Sequence, residues 1–73
     1  MTNGTEVIRS ETIHRLGVDI ELYGDGQGFF HIVYKVEDRY GEHITPLVDP
    51  IRCPIRAAEV YERELNLVHR ARH

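Results

Sequence analysis

The stretch Gly24-Asp25-Gly26-Gln27-Gly28 constrains this chain more than any other. Three glycines in five residues supply the positive φ angles that a tight reversal needs. On its N-terminal side Leu16, Val18, Ile20 and Leu22 alternate with Gly17, Asp19, Glu21 and Tyr23. On its C-terminal side Phe29 to Glu37 is aromatic and β-branched. A period of two sends one set of side chains toward a core and the other toward water. A loop of this composition between two such runs is a hairpin turn. Phosphate-binding loops place a helix directly after the glycines, and here a strand follows.

The remaining elements are read outward from that hairpin. Residues 1–9 form a loose arm in this reading, with Val7 and Ile8 free to dock. A strand runs over Thr12–Tyr23, with Ile13 on the wrong parity for its apolar face, and a bulge near Gly17 repairs the mismatch. After the strand 29–37, Asp38-Arg39-Tyr40-Gly41-Glu42 makes a second turn, with Gly41 in a left-handed position. A shorter strand follows from His43 to about Val48. Pro46 has no N–H to give to a ladder, so that strand belongs at a sheet edge. Asp49 to Pro54 is an extended connection, because residues before proline avoid the helical region.

A helix starts at Pro54, a residue suited to the first helical position, and runs to about Arg70. Ala57, Ala58, Tyr61, Leu65 and Val68 form its buried stripe, with Val60 and Leu67 beside it. Glu59 and Arg63 stand four apart in the order that favours an ion pair. The expected fold is α+β: a three-stranded antiparallel meander packed against one C-terminal helix, with room for an extra N-terminal strand. Residues 10–73 make up the single β-β-β-α domain.

A chain of 73 residues buries only about 60% of its unfolded surface. Disulfides, metals or partner subunits usually supplement so small a core. Cys53 is the only cysteine, which rules out a disulfide within the chain and points to a reducing compartment. The start of the sequence lacks the basic and apolar segments of a signal peptide. No apolar run approaches the roughly 20 residues of a membrane span. The expected setting is therefore the cytoplasm, with no membrane association.

The net charge of −3 gives no global attraction to nucleic acid. Residues 1–51 hold four basic groups against nine acidic ones, whereas residues 52–73 hold five arginines against three glutamates. Arg52, Arg56 and Arg63 are the candidate anion contacts, because a guanidinium fork suits planar oxyanions.

Side chains that might carry chemistry do not assemble into a pattern. His69 and His73 are spaced like paired metal ligands, but no third or fourth ligand accompanies them, so no metal and no cofactor is expected. Cys53 precedes the helix start and is flanked by Arg52 and Arg56, a setting that lowers a thiol pKa. The plainer reading is a small buried residue. Asp19/Glu21 and Glu37/Asp38 are carboxylate pairs without a cleft to work in. No nucleophile–base–orienter set appears, and no catalytic residue is expected.

The informative strand is Phe29 to Glu37. Phe30, Ile32, Tyr34 and Val36 fill one face, while Phe29, His31, Val33 and Lys35 occupy the other. A sheet with a helix on one side should show a polar second face, yet Phe29 and Val33 are apolar there. The N-terminal arm with Val7, Ile8 and Ile13, a second copy of the chain or another protein covers them, and exposed apolar surface of this kind marks interaction sites. The four residues Phe29, His31, Val33 and Lys35 are the candidate interaction surface.

The stretch from Gly28 to Leu65 resembles, in the order of its elements, the arm-type DNA-binding domains of tyrosine recombinases. These domains set a three-stranded sheet into the major groove. The resemblance implies DNA binding by the sheet. This sequence departs from it in charge, with Asp19, Glu21, Glu37 and Glu42 against Lys35 where a DNA-reading sheet is basic. The leading expectation is a small non-catalytic regulatory or accessory protein that binds a protein partner or a second copy of itself. Phages and mobile elements encode inhibitors and adaptors of this size. Sheet-based DNA binding is the alternative.

Overall fold

The computed structural model of the chain describes residues 6–70. Four strands form one antiparallel sheet in the order β1-β2-β3-β4: β1 Glu6–Ile13, β2 Val18–Gly24, β3 Phe30–Asp38 and β4 Gly41–Pro46. A single helix, α1, spans Pro54–Arg70. The fold is the expected α+β arrangement with the additional N-terminal strand in place.

That strand corrects two expectations. Residues 6–9 are the first half of β1 and not a loose arm, while residues 1–5 lie outside the described residues. The single strand expected over Thr12–Tyr23 is broken by a turn at residues 14–17. Gly17 adopts φ 68°, and its N–H donates to the Ile13 carbonyl at 2.9 Å. Glycine occupies that left-handed position without the Cβ clash an L-residue would suffer. Ile13 has its off-beat parity because it ends β1, where it pairs with Val18 and faces the core. A hairpin, and no bulge at Gly17, accounts for the pattern. A bulge does occur in β1, between Val7 and Arg9, where Ile8 is the extra residue.

The glycine loop is built as its composition requires. Asp25 Oδ1 accepts the N–H groups of Gln27 at 2.8 Å and Phe29 at 3.3 Å. Asp25 Oδ2 accepts from His31 Nε2 at 2.9 Å. Gly26 and Gly28 take the positive φ angles, 79° and 95°. Phe29 falls in this loop and β3 begins one residue later. Between β3 and β4 the turn is a tight two-residue one, with Asp38 opposite Gly41 and Tyr40 N–H on Asp38 Oδ1 at 2.8 Å.

The helix lies on one face of the sheet, over β2 and β3. Val18, Ile20 and Leu22 of β2 and Ile32 of β3 meet Ala57, Val60, Tyr61 and Leu65, with Ile13 closing one end. Tyr61 is 1% exposed, and its hydroxyl donates to the Ile20 carbonyl at 2.8 Å. That bond satisfies a polar group which would otherwise be costly to bury. The helix begins at Pro54 as expected, and the Cys53 carbonyl accepts the Ala57 N–H at 2.9 Å. Leu67, placed beside the buried stripe by sequence, is exposed.

Candidate interaction surface

The second face of the sheet carries no helix, and the ladder fixes what stands on it. Glu21, Val33 and Pro46 form one cross-strand row, extended by Ser10 of β1. Thr12, Asp19, Lys35 and Ile44 form the next, and Val7, Tyr23 and His31 a third. Val33 is only 4% exposed, on the face opposite the helix, and cover by the first five residues lies outside the described residues. Its row neighbours Glu21 and Pro46, and the diagonal positions beside them, stand within side-chain reach of it.

The polar groups on this face are tied together. Lys35 Nζ sits 3.3 Å from Glu21 Oε2 and 3.2 Å from Glu42 Oε2, bridging β2, β3 and β4. These two carboxylates raise the Lys35 pKa above its ordinary value, Glu42 more than Glu21. Thr12 donates to Asp19 at 2.6 Å. Tyr23 stacks on His31 with centroids 5.0 Å apart. The pKa of Asp25 is lowered, first by its hydrogen bond to His31 and then by the Gln27 N–H.

Of the four residues expected to form the interaction surface, His31 and Lys35 are half-buried in polar contacts and Val33 is buried. Phe29 is half-buried in the loop, with the Arg52 guanidinium 5.2 Å from its ring centroid. Phe29 therefore does not share a sheet face with Val33. The open face carries the Lys35–Glu21–Glu42 network at its centre, with Val7 and Ile44 exposed on its two outer strands.

Arg52, Arg56 and Arg63 are likewise not one cluster. Arg52 sits on Phe29, while Arg56 and Arg63 lie on the outer side of α1, exposed. Arg63 Nε is 4.0 Å from Glu64, and no Glu59–Arg63 pair forms among the described ion pairs. Cys53 is exposed, contrary to the buried position expected of it. Among the described residues no three potential metal ligands stand together, and His73 lies outside them. No described helix is long and apolar enough to cross a membrane. A shallow apolar cleft of about 220 Å³ lies between Ile8, Gly24, Phe29 and Phe30. Among the described residues that line it, Glu6 is the one ionisable group.

The sheet edges are the feature that sequence reading passed over most lightly. Both outer strands, β1 and β4, are exposed along nearly their whole length. The β1 edge is protected. It carries the bulge at Ile8 and the charges of Glu6, Arg9 and Glu11, devices that discourage strand pairing. It is also strapped to the helix. Arg9 Nη2 meets Glu62 at 2.6 Å and lies over the Tyr61 ring, and Arg15 donates to the His69 carbonyl at 2.6 Å.

The β4 edge has no bulge, and no described ion pair joins it to the helix. All six of its residues are exposed, with Ile44 54% accessible. The Leu47 N–H donates to the Ile32 carbonyl at 2.9 Å. By the antiparallel alternation, His43 and Thr45 then bond to β3, and Glu42, Ile44 and Pro46 turn their backbone groups outward. Pro46 is thus at the edge expected of it, its missing donor on the side that faces no strand of its own chain. No protein-family model matches the chain, and comparison with curated proteins and with solved structures finds no match.

Proposed function

We propose that this protein is a small non-catalytic binding domain, a regulatory or accessory factor, that engages its partner through the β4 edge. One observation carries the reading: β4 is a regular, fully exposed edge strand with outward amide and carbonyl groups, and it has neither the bulge nor the ties to the helix that β1 and its turn carry. Such an edge is a template for strand addition, in which main-chain hydrogen bonds give affinity and alternate side chains give specificity. The exposed Ile44 supplies the apolar anchor.

DNA binding by the sheet finds less support. The open face presents Asp19, Glu21, Glu37 and Glu42 around Lys35, and Lys35 is held by two of them. Phosphate contacts need the opposite balance. A cytoplasmic setting goes with this reading, on the strength of the single exposed thiol.

The test is affinity capture from the native host with the tagged chain and its Ile44→Lys variant. A charged residue on an exposed edge position blocks pairing without touching the core. The reading predicts that what the tagged chain captures, an untagged copy of the chain included, is lost with Ile44→Lys while the variant stays folded by circular dichroism. A partner retained equally by the variant would place the binding surface elsewhere.

A further inference from the structure

Resting on the edge reading above, we infer that the occupant of β4 is β4 of a second copy, paired antiparallel about a two-fold axis through Ile44. The argument begins with which backbone groups are free. Glu42 and Ile44 each turn an N–H and a carbonyl outward, and Pro46 turns out a carbonyl alone. A two-fold axis at Ile44 places Ile44 against itself and Glu42 against the partner's Pro46. Ile44 then exchanges two bonds with its symmetry mate. Each Glu42 N–H meets a Pro46 carbonyl, so every outward donor of the strand is used. The strand is self-complementary in this register despite its proline.

Side-chain charge disfavours two of the alternative registers. Side chains alternate faces, so only registers that pair residues of like parity keep both helices on one side of the joined sheet. Centring on Glu42 would set two carboxylates opposite each other. Centring on His43 would set two imidazoles opposite each other at the close, non-bonded site. Centring on Ile44 opposes two exposed apolar side chains and places His43 against Thr45. No like charges meet.

Steric access agrees. The helix packs over β2 and β3 and leaves β4 clear on both faces, so a second strand can approach without displacing it. The product is a continuous eight-stranded antiparallel sheet with two helices on one face. It closes with two-fold symmetry and leaves the protected β1 strands as its outer edges. A core of this size also benefits from a second subunit.

Sedimentation of the purified full chain over about 1–500 μM, with Ile44→Lys alongside, tests association. Cysteine cross-linking in a Cys53→Ser background tests register. Paired residues in a bonded antiparallel site stand about 5.5 Å apart, within disulfide reach. Ile44→Cys should form a covalent dimer on mild oxidation, whereas Glu42→Cys, facing Pro46, should give at least tenfold less. Circular dichroism confirms that each variant folds.

A wild-type dimer, a monomeric Ile44→Lys and selective linkage at position 44 are the expected results. A wild-type chain that stays monomeric throughout the range overturns the second copy as occupant. The host capture experiment remains a separate test of the edge. A dimer that survives Ile44→Lys, or links equally at positions 42 and 44, also overturns it.

Discussion

At the scale of the residue, three side chains connect the fold to solution behaviour. Tyr61 is buried on the sheet-facing side of the helix with its hydroxyl on the Ile20 carbonyl. Tyr61→Phe should cost about 1 kcal/mol, a typical net hydrogen bond, measurable by urea denaturation. Burial raises the Tyr61 pKa above its ordinary 10.0. A raised value means that the folded chain holds the proton more tightly than the unfolded chain. The stabilisation is full below pH 10.0 and is lost as pH climbs through the folded value. Lys35 adds the same sign near its ordinary 10.5, so alkaline unfolding of the wild type should begin above about pH 10. Tyr61→Phe should blunt that loss. Asp25 has the opposite sign. Its lowered pKa gives stability above the ordinary 3.8 that is lost as pH falls through the folded value. Asp25→Ala should flatten the acid limb of the stability profile and leave the alkaline limb unchanged.

At the scale of the element, Val33 decides between two accounts of β3. Val33→Ser should lower stability by about 2 kcal/mol, the scale of losing one buried aliphatic side chain. Phe29→Ser, on a half-buried loop residue, should cost less. Equal and negligible costs at both positions would return Val33 to the surface. Gly17→Ala should cost about 1–2 kcal/mol, because φ 68° is strained for any residue with a Cβ. The β2–β3 hairpin, the turn at Gly41, the edge position of Pro46 and the helix from Pro54 were all legible in the sequence. Each rests on a strong local rule: glycine φ, the missing proline donor or helical periodicity. The β1–β2 turn was harder to read. Its loop, His14-Arg15-Leu16-Gly17, contains no proline or asparagine, and Leu16 continues the apolar alternation of β2. The burial of Val33 was not legible either, because its row neighbours Glu21 and Pro46 read as solvent-facing in a hydropathy pattern.

At the scale of the whole molecule, the two sides differ in how they are finished. Toward β1 the helix and sheet are joined by Arg9–Glu62, Arg15 on the His69 carbonyl and the Arg9–Tyr61 contact. Toward β4 there is an exposed strand with a free ladder of backbone groups. The sequence carries the ingredients of this asymmetry, namely Pro46 at one edge and alternating charges at the other. It does not reveal which charges reach the helix, because those contacts join residues more than fifty positions apart. The account's central claim is that the outward groups of β4 are used in binding. Amide exchange at Glu42 and Ile44 reports on those groups alone. In the purified wild-type chain, both amides should become protected, by tenfold or more, as concentration rises through the dimerisation range. In Ile44→Lys the Glu42 amide should exchange rapidly at every concentration. Unprotected exchange at both positions in a wild-type sample shown to be dimeric would contradict the account.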